Sequence, residues 1–327
     1  MRVFVSGAAG RVGTGAVAAF LKAGFSVTGF DVRPSGRAAA GYTDHVGELE
    51  NPADVARAIV DTDIVIHLGA VMSWAPTDQA RMQRANVEGT RVLLDAASQA
   101  GVRRFVFASS GEVYPETAPE ILPITEDHPL KPNSFYGLTK LLGENLVRFH
   151  QRTGAMETVI LRFAHTQDAA ELLDEESVFS GPRFFLRPRI RATETIGNRD
   201  LAERLRRNDP GVPAHVLACN KDMRPYMMHI TDTRDIVAGL TLAAEHPDAA
   251  GATFNLGATE PVEFGWLLER MSAITGYPVV PIDFPGPGVR YRTSNSRIRT
   301  RLGFEPQWTV ERMLGEAAAA RKARVMG

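Results

Sequence analysis

The stretch that most restricts the fold lies at the start of the chain. Arg2-Val3-Phe4-Val5-Ser6 is a short apolar run of the kind that forms a buried strand. It runs directly into Gly7-Ala8-Ala9-Gly10-Arg11-Val12-Gly13, and helical apolar spacing follows through Val17, Phe20 and Leu21 until Gly24 stops it. Strand, glycine turn and helix in that order present backbone N–H groups and a helix N-terminus to a phosphate. Glycines let a bound pyrophosphate approach the backbone closely. A glycine triplet alone is a weak signal, and the flanking strand and helix strengthen it. A second strand, Phe25 to Phe30, ends on Asp31, eighteen residues past Gly13. An acidic side chain there can bond the adenosine ribose diol of a dinucleotide and would repel a 2′-phosphate, which argues for NAD over NADP. Arg33, close by, could accept that phosphate.

The alternation continues. Residues 44–49 read as a short strand and 53–60 as a helix, with Asn51 capping it before Pro52. Residues 63–70 form a continuous apolar strand, as expected where both sheet faces are covered. Residues 77–100 read as a long helix that carries Asn86 in an apolar-facing register, where its amide needs a hydrogen-bond partner. His67 is expected to be held by a hydrogen bond within its strand. Arg104 to Ser110 is a fifth strand ending in polar residues. The pattern predicts an α/β chain: a Rossmann-type doubly wound parallel sheet with a smaller C-terminal substrate-binding lobe. Ligands of such sheets sit at the strands' carboxyl ends.

Tyr136-Gly137-Leu138-Thr139-Lys140 places a phenol and an ammonium one helical turn apart on one face. A tyrosine is a poor base at its free pKa of about 10. A neighbouring cation favours the phenolate, so the pair could take a proton from an alcohol.

Composition narrows the partners. With 44% hydrophobic residues the chain can bury a sizeable core, and a net charge of −1 gives no footprint for nucleic acid or an anionic membrane. No stretch approaches the ~20 apolar residues of a membrane span. The N-terminus opens as a strand, without a signal-peptide layout. Cys219 is the single cysteine, which excludes an internal disulfide framework and fits a cytoplasmic protein. The eight histidines show no metal-ligand spacing, so no metal site is expected.

With these residues in place, the sequence resembles the extended short-chain dehydrogenase/reductases, the group of NAD-dependent sugar epimerases and dehydratases. The resemblance rests on Gly7-x-x-Gly10-x-x-Gly13, Asp31, His67-Leu68-Gly69-Ala70, Asn86-Val87-Glu88-Gly89, Ser109-Ser110-x-x-Val113-Tyr114 and Tyr136-x-x-x-Lys140. Leu161-Arg162-Phe163, Asp232 to Ile236, Phe254-Asn255-Leu256-Gly257 and Leu302-Gly303-Phe304 follow in the family's order. The resemblance implies NAD as cofactor. It implies that Tyr136 exchanges a proton with a carbinol, that Lys140 lowers the tyrosine pKa and holds the nicotinamide ribose, and that Ser110 hydrogen-bonds the reacting oxygen of the substrate. Gly7, Gly10, Arg11 and Val12 would line the pyrophosphate, and Asp31 would take the adenosine ribose. Glu48 and Leu49 would flank the adenine, Leu68, Gly69 and Ala70 would run along the cofactor, and Asn86 would brace the site. Residues 1–163 would form the NAD-binding domain, with its last strand and helix returning near 226–257, and 164–327 would be mostly the substrate-binding lobe. A homodimer through a four-helix bundle of the Asn86 and Tyr136 helices is also implied.

Two departures from the family's pattern bear on the substrate. Nucleotide-sugar dehydratases of the family commonly carry Asp-Glu after the Ser/Thr, and here Gly111-Glu112 stands instead. A lone Glu112 could remove a proton beside a ketone, or could be a salt-bridged loop residue. Farther on, Leu161-Arg162-Phe163 runs into Ala164-His165-Thr166-Gln167-Asp168 and an unusual insert over 164–224. Arg183, Arg187, Arg189 and Arg191 lie in this insert. Their guanidinium forks suit phosphates and carboxylates, or surface pairs with Asp174, Glu175 and Glu176. His165 and Arg224 are expected to touch substrate, Arg224 as an anion contact. The expected activity is epimerase/dehydratase-type oxidation at a sugar carbinol, with a nucleotide sugar as substrate. The altered segment keeps open a dehydrogenase of a free sugar or sugar acid that releases NADH.

Overall fold

A computed structural model describes residues 1–326. Its central sheet comprises β1 (Arg2–Ser6), β2 (Ser26–Asp31), β3 (Tyr42–Val46), β4 (Ile64–His67), β5 (Arg104–Ser110), β6 (Glu157–Phe163) and the edge strand Thr253–Leu256. The spatial order is Thr253–Leu256, β6, β5, β4, β1, β2, β3. Every pairing is parallel. The order reverses between β1 and β4, so a crevice opens beyond their carboxyl ends.

Successive strand residues point to opposite faces, and both faces are buried. Helices Arg11–Lys22 and Thr233–Glu245 bring Val17, Phe20, Ile236 and Leu240 onto Val3, Val5, Ile64 and Ile66. On the other face, helices Pro52–Ala58, Gly89–Gln99 and Phe135–Thr153 bring Val55, Leu93, Leu94 and Val147 onto Phe4, Val65, Phe105 and Phe107. This double cover is why the inner strands read as unbroken apolar runs.

Three local features differ from the expectation, each for a visible reason. β3 lies at Tyr42–Val46 rather than 44–49, because its register is set by β2, from Val27 opposite Tyr42 to Asp31 opposite Val46. β4 ends at His67 because the Ser6 hydroxyl accepts the N–H groups of both Leu68 and Gly69, each at 3.1 Å, and draws the chain off the ladder. The helical run over 77–100 is irregular: a 3₁₀ turn at Pro76–Asp78 and a short α-helix at Gln79–Met82 lead into a π segment at Gln83–Glu88 before Gly89–Gln99. Such π segments frequently occur at functional sites, and this one carries Asn86. Asn51 does cap its helix, its side chain accepting from Ala53 N at 3.1 Å. His67 is held as expected, between Ser6 Oγ at 2.7 Å and Thr90 Oγ1 at 2.9 Å, and burial pushes its pKa down to about 3.

The insert is folded. His165–Gln167 pairs with Ile230–Asp232, and helices Ser180–Phe184, Leu186–Thr195 and Arg199–Arg207 precede a strand, His215–Cys219, that pairs in parallel with Val279–Asp283. Leu186, Leu201, Leu205, Val216, Ile282 and Phe284 form a separate small core there. Cys219 is buried. Among the described residues no helix is long and apolar enough to cross a membrane.

Motifs that are weak singly meet in one buried network. The Arg162 guanidinium on β6 donates to both oxygens of Glu144, each at 2.8 Å, and to Tyr114 Oη at 2.6 Å. Tyr114 donates in turn to Asn255 Oδ1 on the edge strand, at 2.7 Å. Ser109 on β5 also donates to Glu144, at 2.6 Å. This network joins β5, β6, the edge strand and the helix that carries Tyr136.

Candidate active site

The first half of the site lies in the crevice between β1 and β4. Gly7 adopts φ +71°, and a Cβ there would lie 2.8 Å from Gly69 N, so only glycine lets the two loops touch. A Cβ on Gly13 would fall 2.0 Å from Gly7 O. Gly10 caps the helix that begins at Arg11, with no side chain over the helix end. The N–H groups of that first turn have no partners within the helix and face the crevice mouth. Asp31 closes β2, where its Oδ2 accepts Ala9 N at 3.0 Å. Arg33 is exposed and donates to Ala9 O at 3.3 Å. Glu48 is exposed, and Leu49 is buried against Gly69 and Gly89. Leu68, Gly69 and Ala70 form the opposite wall. Free N–H groups in the first helical turn after a glycine turn, followed by a carboxylate at the end of the next strand, are the donor and acceptor set of a dinucleotide site.

Arg11 acts here in a way the sequence did not reveal, and Asn86 finds the hydrogen-bond partners a buried helical amide needs. The Arg11 guanidinium is already engaged, with Asp168 and Glu171 at 2.8 Å each, and lies 4.6 Å from the Phe179 ring centre. It ties the glycine turn to the insert, leaving its backbone N–H for a phosphate. Asn86 accepts Val71 N at 2.7 Å and donates to Val71 O at 2.8 Å and Thr139 Oγ1 at 3.0 Å. It thus braces the loop after β4 against the Tyr136 helix.

The second half lies beyond β5. Ser134 caps the Phe135–Thr153 helix by accepting Gly137 N at 2.9 Å, and its hydroxyl donates to Glu112 Oε2 at 2.5 Å. A Cβ on Gly137 would lie 2.3 Å from Glu112 O, so the helix start is pressed onto the 111–113 turn. Ser110 ends β5, and its Oγ accepts Glu112 N at 3.1 Å. Lys140 is buried, donates to Ala108 O at 2.8 Å, and sits 5.8 Å from the Tyr136 ring centre. Ser110, Glu112, Tyr136 and Lys140 thus converge at the carboxyl end of β5.

Lys140 was expected to lower the Tyr136 pKa. Burial and then the Glu112 charge set its net direction, which is upward, and the Lys140 ammonium bonds Ala108 O. Burial pushes Lys140 down to about 8. Burial also raises Glu112, against its bond from Ser134. Removing the Glu112 charge makes the phenolate easier to form. Glu112→Gln should therefore move the basic inflection of kcat/KM for alcohol oxidation to lower pH, by about one unit. A pH–rate profile that does not move would remove Glu112 from the account of Tyr136.

Sequence reasoning missed Glu116 and Tyr291. Both share the neighbourhood of Glu112, and burial followed by the Glu112 charge raises Glu116 to about 7. The arginine cluster divides. Arg187 and Arg191 are exposed and lie 3.4 Å from Asp209 and Glu176, Arg189 packs 4.8 Å from the Phe284 ring centre, and Arg183 bonds Met228 Sδ at 2.7 Å within electrostatic reach of Glu112, Glu116 and Tyr291. Its burying flanks, Gly181-Pro182 and Phe184-Phe185, were the available signal. His165 packs on Phe179, and its Nε2 is buried without a partner, as is Gln167 Oε1. Burial, then the charge of Arg183, keeps its imidazole neutral. Arg224 was expected at the substrate. It is exposed in a turn closed by its own backbone on Asn220, and its side chain has no bond to Ser110, Glu112 or Tyr136. The turn holds it at the surface.

Comparison with known proteins was made on this geometry. The NAD dependent epimerase/dehydratase family matches residues 3–167. A crystal structure of a short-chain dehydrogenase/reductase superfamily protein from Agrobacterium tumefaciens with bound NAD is 63% identical. It covers 99% of this chain and 98% of its own, with a TM-score of 0.96. A dTDP-glucose 4,6-dehydratase of Streptomyces griseus is 30% identical over 259 residues, 76% of this chain and 69% of that protein. A UDP-glucose 4-epimerase of Halalkalibacterium halodurans is 26% identical over 332 residues, 97% of this chain and 94% of that protein. The chain spans only about half the length of some other curated relatives it matches, among them a 3-beta-hydroxysteroid dehydrogenase (46%) and a D-erythronate dehydrogenase (41%).

Proposed function

We propose, on the premise that this chain belongs to the NAD-dependent epimerase/dehydratase family, that it oxidises a sugar carbinol with Tyr136 as proton acceptor. The observation that carries this reading is the convergence of Ser110, Tyr136 and Lys140 at the carboxyl end of β5, beside the glycine crevice. NAD, when bound, supplies the hydride acceptor. Gly7, Gly10, Arg11 and Val12 would line its pyrophosphate, with the first-turn N–H groups of Arg11 and Val12 as donors, Asp31 would hold its adenosine ribose, Glu48 and Leu49 would flank its adenine, and Leu68, Gly69 and Ala70 would run along it. Ser110 Oγ accepts a backbone N–H, so its own proton is free to bond the reacting oxygen. Tyr136 takes the carbinol proton. Lys140 spends one N–H on Ala108 O and keeps two for the nicotinamide ribose. Glu112 stands where it can move a proton on the carbon beside the new ketone. The two matched sugar-nucleotide enzymes support a nucleotide sugar as substrate and a closed oxidation–reduction cycle. The Arg183 environment supports a second reading, net oxidation of a sugar acid with NADH released.

The separate core of the insert supports residues 164–224 as part of a substrate lobe. Exposed Leu138 and Phe149 on the Tyr136 helix support a homodimer through that face. Supplying NAD with sugars, sugar acids and nucleotide sugars and analysing products tests the function. An isomerised or dehydrated nucleotide sugar without net NADH supports the first reading, and sustained NADH supports the second. No product from any of them overturns both. For the cofactor, Asp31→Ala should cut the preference for NAD over NADP by about 10- to 100-fold, the worth of a charged hydrogen bond. An unchanged ratio of kcat/KM would reject the ribose assignment.

A further inference from the structure

Buried cations need acceptors, and the two arginines of this chain whose side chains are only 2% exposed, Arg104 and Arg162, have them. Arg104 donates to Glu157 and to the carbonyls of Ala243, Ala244 and His246 at 2.8–3.1 Å, and Arg162 donates to Glu144, Tyr114 and Glu126 O. Arg183 is different. Among the described residues no carboxylate lies within 4.0 Å of its guanidinium, and its hydrogen-bond partner is Met228 Sδ at 2.7 Å. A thioether is a weak acceptor. This guanidinium is half-buried, and its Nε and Nη2 have no protein acceptor among the described residues, so they are open to solvent or a ligand. The group is not stranded in a core. It lies within electrostatic reach of Glu112, which is hydrogen-bonded to the cap of the Tyr136 helix, and of Tyr291 and Glu116. Arg183 and Tyr136 therefore both lie within electrostatic reach of Glu112.

We propose that Arg183 is the anion-binding residue of the substrate pocket and that the sugar accepted there carries a carboxylate, as in a uronate or an aldonate. A planar carboxylate matches the two-pronged guanidinium fork and supplies the acceptors the protein withholds. The surrounding charges are compatible with this. Burial pushes Arg183 down to about 10, opposed by Tyr291; Arg189 adds a second positive charge nearby, opposed by Glu116 and Glu112. Glu116, at about 7, is close to half protonated at neutral pH, so the two glutamates do not carry two full negative charges against the ligand. The carboxylate could belong to a free sugar acid or to a nucleotide-linked uronate. The inference rests on the reading of Tyr136 as the place where the carbinol reacts.

The test uses matched probes on NAD-loaded protein: UDP-glucuronate against UDP-glucose, and free aldonates and uronates against the corresponding neutral alditols and sugars. Binding is measured in Tyr136→Phe protein, with and without Arg183→Gln or Arg183→Lys, and kcat/KM in protein that retains Tyr136. The carboxylated member of one pair should bind more tightly, and Arg183→Gln should weaken it about 10- to 100-fold more than its neutral partner, with Lys recovering part of the loss. The pair that responds identifies the source of the carboxylate. Unchanged NAD affinity in the Arg183 variants shows that the fold is intact. If no carboxylated probe outbinds its neutral partner, or if Arg183→Gln weakens both equally, the proposal is overturned. Turnover by Tyr136→Phe protein would overturn the catalytic reading alone, because the binding comparison does not depend on it.

Discussion

Tyr136→Phe should lose about 100- to 10,000-fold in turnover, the range of a positioned acid–base group, and should bind NAD as before. The substitution removes one hydroxyl and keeps the ring that packs above Lys140. No neighbouring group can stand in for it. In the proposed site the Lys140 ammonium is shared between Ala108 O and the nicotinamide ribose, and Glu112 is held by Ser134. The Ser110 hydroxyl ionises only at a pH far above that of a phenol. The matching measurement is kcat alongside NAD affinity. Turnover within about tenfold of the parent enzyme would show that the proton leaves by another route.

Glu144→Ala should give the largest loss of stability, about 3–5 kcal/mol, the cost of breaking a buried ion pair from one side. The Glu144 and Arg162 side chains are 0% and 2% exposed. Removing the carboxylate leaves the guanidinium without its two-pronged acceptor and Ser109 Oγ without its bond. Because Ser109 adjoins Ser110 and Glu144 lies on the Tyr136 helix, activity should fall with stability. A urea midpoint at constant m-value reads the loss, and a change below about 1 kcal/mol would contradict the network's importance. The pH dependence has a definite sign. Burial alone would raise the Glu144 carboxyl, but the bonds and charge of Arg162, with Ser109 and Arg148, hold it below its ordinary value. Its contribution is therefore complete above the unfolded-state pKa and is lost as pH falls through the lower folded value.

What the sequence revealed followed from how local each signal is. β1, the glycine turn and the first helix are written in contiguous residues, and β5 and the edge strand fell within the expected bounds because apolar runs and punctuation mark them. β3 slipped by two residues because pairing with β2 sets its register. The split of the arginine cluster depends on helix rotation and on which flanks are buried. The grouping of Arg183, Glu116 and Tyr291 arises from three distant segments, which no spacing rule connects. The Lys140 direction follows one carbonyl on β5, and the burial that dominates the tyrosine pKa is not visible in a four-residue spacing. Arg162 and Glu144 were eighteen residues apart and joined only by the packing of a helix on the sheet.

The most direct test of oxidation at a carbinol is rapid-mixing absorbance of reduced nicotinamide. Excess NAD-loaded enzyme would be mixed with a substrate found in the product screen, carrying either hydrogen or deuterium at the reacting carbon. The account predicts a lasting or transient rise that deuterium slows and that Tyr136→Phe abolishes. Substrate conversion with no reduced nicotinamide at any time, and at the same rate for both isotopes, would contradict it.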